Sequence, residues 1–277
     1  MAEDRAVKAY LAPRLPATSA AVRAIIDALA EARPDFQPKS LLDIGAGPGT
    51  MLWATTDLWS DLEQAVLVEA SAAVRKIGQS LATDAIAARI DWLAGDATID
   101  LADLQPADLV TAAYVLDEIV PASLPKLVGR LWQLTADTLL IVEPGTPAGW
   151  QRILAVRRQL VEAGAHVLSP CPHEAPCPLA QPDWCHFSRR VARSRLHRLT
   201  KDADVPWEDE KFIYVAASRH PAPSRPARVI APPKSGSGKV TLKLCEPGGG
   251  AGEKLFTKRD GDLFKVARRL DWGDTLG

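Results

Sequence analysis

Leu41-Leu42-Asp43-Ile44-Gly45-Ala46-Gly47-Pro48-Gly49-Thr50 is the stretch that decides the fold. An apolar run with a single acid enters a turn whose glycines are two residues apart, and a helix-forming segment follows to Leu58. Glycine adopts positive φ without penalty and lets the backbone approach a ligand closely. The N-terminus of the following helix offers unpaired N–H groups to an anionic or carboxylate group. Working outward, Gln64–Glu69 reads as a second strand and Ser71–Leu81 as a helix with Ser71 at its N-cap. Strands are expected at Arg89–Ala94, Asp108–Tyr114 and Thr138–Glu143, with helices near 123–133 and 148–163. Upstream, Val22, Ile25, Ile26 and Leu29 recur at helical spacing within 18–31. Strands alternating with helices predict an α/β chain built on a doubly wound parallel sheet covered on both faces.

The acids around the turn suggest what it holds. Glu69 ends the second strand, 20 residues after Gly49, where a carboxylate meets ribose hydroxyls. Asp96, in Leu93-Ala94-Gly95-Asp96-Ala97, ends the third, within reach of an adenine amino group. Asp43 and the Gly47-Pro48-Gly49 turn fit S-adenosylmethionine better than a dinucleotide. The segment resembles motif I of the class I methyltransferases (a Rossmann-like fold) over about residues 38–165. That resemblance makes Asp43, Gly45, Gly47, Gly49, Glu69, Asp96 and Tyr114 the expected cofactor-binding residues. The fourth strand runs into Tyr114-Val115-Leu116-Asp117-Glu118, and the Asp/Asn-Pro-Pro-aromatic tetrad of amino-group methyltransferases is absent there. No cysteine stands in this region to attack a cytosine ring. No catalytic residue is therefore assigned, and enzymatic methyl transfer stays open.

The chain has four cysteines, all after residue 170. Cys171, Cys177 and Cys185 lie in one proline-loaded stretch and Cys245 stands apart, giving C-x5-C, C-x7-C and C-x59-C. Structural zinc sites favour tighter C-x2–4-C pairs. Four thiolates with no obligatory histidine suit an iron–sulfur cluster, of a nuclearity that spacing leaves open. His173 and His186 are candidate substitutes. In a reducing compartment such a cluster of thiols points to a metal more than to disulfides.

These residues carry a second resemblance. The Gly45–Gly49 turn, Ser169-Pro170-Cys171-Pro172-His173, Trp184-Cys185-His186-Phe187-Ser188, Glu208-Asp209-Glu210-Lys211-Phe212-Ile213-Tyr214, Cys245 and the closing Trp272-Gly273-Asp274 are similar to those of the methyltransferase-like assembly factors of the mitochondrial small ribosomal subunit and their bacterial relatives. The resemblance spans nearly the whole chain. It implies a 4Fe–4S cluster on Cys171, Cys177, Cys185 and Cys245, and association with small-subunit rRNA and assembly intermediates.

Charge is unevenly spread. Residues 1–164 carry 14 Lys and Arg against 21 Asp and Glu, whereas residues 165–277 carry 19 against 13, for a net charge of −1. The second half is therefore expected to present a basic surface. Arg189, Arg190, Arg193, Arg195, Arg198 and Lys201 are expected on a helix at about 188–200. Lys254, Lys258, Arg259, Lys265, Arg268 and Arg269 form a second run. Such residues neutralise phosphates, so Arg189, Arg190, Arg193, Arg195, Arg198, Lys258 and Arg259 are the expected RNA contacts. The expected organisation is an N-terminal helical segment (1–37), a methyltransferase-like domain (38–219) with a cysteine-rich metal-binding insertion at 166–201, and a basic, β-rich extension (220–277) contributing Cys245. Residues 220–239, rich in Pro, Ser and Gly, read as loops. No apolar run approaches the roughly 18 residues of a membrane span. Met1-Ala2-Glu3-Asp4-Arg5 lacks an apolar signal region, so a cytoplasmic protein, monomeric off the ribosome, is expected. Three functions fit: an assembly factor binding S-adenosylmethionine, an iron–sulfur cluster and rRNA; an active rRNA N- or O-methyltransferase; or an iron–sulfur redox or sensor protein on a methyltransferase scaffold.

Overall fold

The computed structural model describes residues 2–82, 86–96, 101, 103–193 and 205–277, with side chains from residue 14 onward. Helix α1 (Ala2–Ala32) is longer than the periodic stretch that announces it. Ala21, Val22, Ile25, Ile26 and Leu29 on it are buried in the main core. The glycine turn joins β1 (Ser40–Ile44) to α2 (Thr50–Leu58). Then follow β2 (Gln64–Glu69), α3 (Ala72–Ala82), β3 (Arg89–Ala94) and β4 (Ala107–Ala113). Ser71 caps α3 as expected, its Oγ accepting from Val74 N at 3.3 Å. Next come α4 (Leu124–Gln133), β5 (Thr135–Pro144), α5 (Pro147–Glu162) and β6 (His166–Ser169). Thr146 caps α5 by accepting from Gly149 N at 3.0 Å.

Strand β7 (Phe187–Ala192) and strand β8 (Trp207–Ser218) complete an eight-stranded sheet ordered β3-β2-β1-β4-β5-β8-β6, with β7 also on β8. Strands β1 to β5 pair in parallel, and β8 enters antiparallel between β5 and β6. The order reverses between β1 and β4, and ligands of open α/β sheets bind outside the carboxyl ends of strands at such a switch point. This mixed sheet with helices packed on it is the class I methyltransferase fold, as the turn around Gly45–Gly49 suggested. Strand β8 is shared in an unusual way. On one edge Phe212–Ser218 pair with β5. On the other, β6 pairs at Ala216–Ser218 and β7 at Trp207–Phe212. The cysteine stretch is the chain between those two registers.

Two expectations are corrected. The arginine-rich segment is not helical at Phe187–Ala192 but forms β7, because its side chains alternate across a ladder whose opposing strand is acidic: Arg189 faces Glu210 and Arg190 faces Asp209. Opposite charges directly across an antiparallel pair are stabilising. Arg195, Arg198 and Lys201 lie outside the described residues. The stretch 220–239 is not all loop, since it contains β9 (Ala227–Val229) and β10 (Lys234–Gly236). With β11 (Lys239–Cys245), β12 (Ala251–Thr257) and β13 (Thr275–Leu276) these build a second, five-stranded sheet. Helix α6 (Asp262–Ala267) covers it, and Val229, Val240, Leu242, Leu244, Phe256, Phe264 and Ala267 form a core separate from the main one. Among the described residues no helix is long and apolar enough to cross a membrane.

A separate core implies a separately opening unit. Phe256→Ala, which empties the middle of the small core, is expected to cost about 3–5 kcal/mol. Hydrogen exchange is the check: protection should fall across β11 and β12 while β1, β4 and β5 keep theirs.

Candidate functional site

The crevice at the carboxyl ends of β1 and β4 holds a pocket of about 400 Å3, within the ~300–1,000 Å3 usual for small-molecule sites. Gly45, Gly47 and Gly49 have φ of +67°, +55° and +87°, in the left-handed region that glycine tolerates. At Gly45 space is also decisive, because a Cβ there would lie 2.3 Å from Val115 Cγ2. Glu69 reaches across from β2, accepting from Gly47 N at 3.0 Å and from Ser71 N at 2.8 Å. These bonds fix the carboxylate at the rim and leave it lone pairs for a ligand hydroxyl. Asp43 is buried at the floor. Its Oδ1 accepts from Thr111 Oγ1 at 2.7 Å, and its Oδ2 has no hydrogen-bond partner. Burial pushes its pKa up to about 7, opposed by the Thr111 hydrogen bond and assisted by the negative charge of Glu69. Asp96 also lines the pocket. Tyr114 follows β4 with φ of +60°, a conformation a tyrosine holds only where its surroundings impose it. Its hydroxyl donates to Glu210 on β8 at 3.3 Å, and burial raises its pKa. Six of the seven residues expected at a cofactor site line this crevice, whereas Gly49 belongs to the same turn but faces Trp92 and Leu67.

The four cysteines come from two parts of the fold, the β6–β7 connection and the end of β11. Cys171 follows β6, Cys177 lies in the loop and Cys185 precedes β7, whereas Cys245 ends β11 of the small sheet. All four line one cavity of about 30 Å3, walled by Ile213, Tyr214 and Val215 of β8 and by α5. Burial raises the Cys171 thiol against the pull of Arg157. It raises Cys185 well above the usual thiol range, helped by the other three sulfurs. It pushes Cys245 up to about 12. Arg157 is buried beneath the loop and donates to the carbonyls of His173 at 2.7 Å and Ala175 at 2.8 Å. Arg228, from β9, donates to Pro170 O at 3.3 Å and Gly273 O at 2.8 Å. His173 Nε2 lies 3.4 Å from Cys245 Sγ, whereas His186 is stacked on Trp184 and meets the Trp272 ring edge-on. The thiols share a cavity without being drawn into ligand geometry: among the described residues no group of three or more His, Cys, Asp or Glu is disposed to hold a metal ion.

The basic residues divide. Arg189 donates to Trp272 O at 3.3 Å. Arg190 makes two bonds to Asp209, at 2.8 and 3.2 Å, and lies over the Trp207 ring. Arg193 donates to Val205 O at 3.2 Å and Glu208 at 3.4 Å. Arg189 and Arg193 are half-buried, whereas Arg190 is exposed and paired with Asp209. Lys258 and Arg259, on a 3-10 turn between β12 and α6, are exposed.

Residues 4–277 match the family described as mitochondrial small ribosomal subunit Rsm22. The chain belongs to that family. It is 30% identical over 286 residues to the ribosome assembly protein METTL17, mitochondrial, of Homo sapiens, covering 96% of this chain and 61% of that protein. The chain therefore spans 61% of the length of that curated relative. Among solved structures it is similar to magnesium protoporphyrin IX methyltransferase from Synechocystis, with TM-score 0.48, 14% identity and coverage of 74% and 80% of the two chains. It is also similar to precorrin-6y C5,15-methyltransferase from Geobacter metallireducens, with TM-score 0.46, 14% identity and coverage of 71% and 86%.

Some residues of this Rsm22-family site gave no signal in the sequence. Glu143, buried at the end of β5, accepts from Leu116 N at 3.1 Å and from Arg152 Nε at 2.6 Å. Arg152 also pairs with Asp117. The pair holds the turn after β4 against the pocket, and only the position of Glu143 at a strand end hinted at it. Arg157 sits on α5 among other arginines and its burial is invisible in sequence.

Asp43 has a measurable consequence. The folded chain holds its proton up to about pH 7, whereas the unfolded chain releases it near pH 4. Stability of the ligand-free protein should therefore decline between about pH 4 and 7, by at most about 4 kcal/mol from this group. Asp43→Asn carries no such proton. Denaturant unfolding of both proteins from pH 4 to 8 should show a shallower decline in the variant over this window.

Proposed function

We propose that this chain is an assembly factor of the small ribosomal subunit that binds S-adenosylmethionine, a 4Fe–4S cluster and small-subunit rRNA. The observation that carries the reading is the convergence of Cys171, Cys177, Cys185 and Cys245 on one buried cavity at the meeting of the two sheets. Buried thiols that raise one another's pKa are a poor end in themselves, and a cation-rich group would relieve that repulsion. The donor set fits: four sulfurs, with Arg157 and Arg228 holding the surrounding backbone. The cluster would bridge the loop to β11 and so tie the small sheet to the main one. Support for the ribosomal role comes from the Rsm22 family and from the human assembly protein. The exposed Lys258 and Arg259 would meet phosphate on the small sheet.

The cofactor reading rests on the orphaned Asp43 Oδ2, aimed where a ligand with positive charge would satisfy it, and on a turn at Gly45 that admits no Cβ. Bound there, S-adenosylmethionine would supply an electrophilic methyl group. Asp43 would face its positive charge, Glu69 its ribose hydroxyls and Asp96 its adenine. The same pocket favours a second reading, transfer of that methyl to an rRNA nitrogen or oxygen.

Anaerobically purified protein should be brown, with iron and sulfide near four per chain on this reading. Cys245→Ser should lose most of the iron, fall in melting temperature and cosediment poorly with immature small subunits. A colourless protein carrying zinc would sink the cluster assignment. Tritium transfer from methyl-labelled cofactor to immature subunits separates the two readings, since the assembly reading alone expects none.

A further inference from the structure

The cofactor pocket has a wall that the glycine motif does not supply. Arg14, Leu15, Thr18 and Val22 of α1 line it, and the 14, 18, 22 spacing places three of them along one face of the helix. Arg14 is half-buried there. Among the described residues that line the pocket it is the one Lys or Arg, against Asp43, Glu69, Asp96 and Glu118. Its charge is felt at the Tyr114 hydroxyl, so the guanidinium stands near the end of β4.

S-adenosylmethionine brings three charged groups: a sulfonium, an α-ammonium and an α-carboxylate. The pocket's acids suit the first two. Glu69, Asp96 and Glu118 would repel the third unless a cation sits among them, and Arg14 is that cation. A guanidinium presents paired donors that match a carboxylate in a bidentate contact. Partial burial makes such a contact stronger than one on the open surface.

We propose that Arg14 is the receptor for the α-carboxylate of the cofactor, so that α1 makes the pocket selective for adenosyl thioethers bearing a complete amino acid. This rests on the reading that the pocket takes S-adenosylmethionine. On this view α1 is part of the binding site as well as a support for the sheet.

The experiment titrates the full chain with S-adenosylhomocysteine and with its decarboxylated analogue, S-adenosyl-3-thiopropylamine, by calorimetry. Wild type should prefer the first by about tenfold or more. Arg14→Met should bring the two affinities to within about twofold, by weakening S-adenosylhomocysteine and leaving the analogue unchanged. Arg14→Lys should restore part of the preference. If wild type shows no preference, or Arg14→Met retains it, the proposal is overturned while the cofactor reading stands. If wild type binds neither ligand, both fall. If Arg14→Met does not fold, the wild-type preference and its reduction in Arg14→Lys decide the matter.

Discussion

Strand β8 is the constraint on which both sites depend. Its Phe212–Ser218 stretch is paired to β5 on one edge, while the other edge is divided between β6 and β7. A chain that leaves β6 at Ser169 and must rejoin the same edge at Phe187 has to bulge outward between the two registers. That bulge carries three of the four cysteines over Ile213, Tyr214 and Val215. A few residues away along the same strand, Glu210 accepts from Tyr114 at the crevice beside the glycine turn. Trp184, next to Cys185, donates to Gly145 O at 3.2 Å, two residues beyond the Glu143 that holds the pocket's loop. The two sites therefore both draw on residues of one strand.

Buried charge is used sparingly and locally. Glu143 and Arg157 are close to fully buried; both Glu143 oxygens accept hydrogen bonds, and Arg157 donates through Nη2 to two carbonyls while its Nε has no partner. A buried ion pair is weak evidence for stability, yet removing one partner leaves a costly charge behind. The Glu143–Arg152 pair therefore specifies the turn after β4, and the bonds from Arg157 to backbone carbonyls specify the cysteine loop. Asp43 differs, because half of its carboxylate is unmatched by the protein. A buried polar atom without a partner costs free energy that a ligand can return. That contrast separates Glu143 from Asp43 more clearly than position does.

Much of the doubly wound core was legible because its signals are local. The glycine turn, the Ser71 cap and the apolar runs of β1 and β2 depend on neighbouring residues, and the structure puts them where pattern predicts. The misreadings are all cases in which a distant strand decided the outcome. Arg189 and Arg190 read as a helix face until β8 is placed opposite them with Asp209 and Glu210. The strands β9 and β10 exist because β11 pairs with each of them. The convergence of the cysteines is likewise a fact of topology: spacing grouped three of them, and Cys245 joined through the resemblance and not through its own surroundings. Glu143 and Arg14 were silent, since nothing adjacent marks a residue whose partner is contributed by another element.

The charge asymmetry of the two halves takes on a narrower meaning once the partners are known. Counting alone spreads the basic excess over everything after residue 164. In the fold, Arg190 is matched by Asp209 across the β7–β8 ladder and Arg193, just beyond β7, by Glu208. On the small sheet, Lys265 pairs with Asp262, and Lys258, Arg259 and Arg269 stand exposed. Exposed Leu255, Leu263 and Val266 lie on the same module. Any contact with phosphate on the proposed reading therefore falls on the part of the chain that Cys245 anchors, and the anchoring is what would give it a fixed direction. A module with its own core, joined to the main sheet through β11, β9 and the Arg228 bonds, is otherwise free to open separately. On the proposed reading, a cluster on the four sulfurs at that junction would convert two adjacent bodies into one.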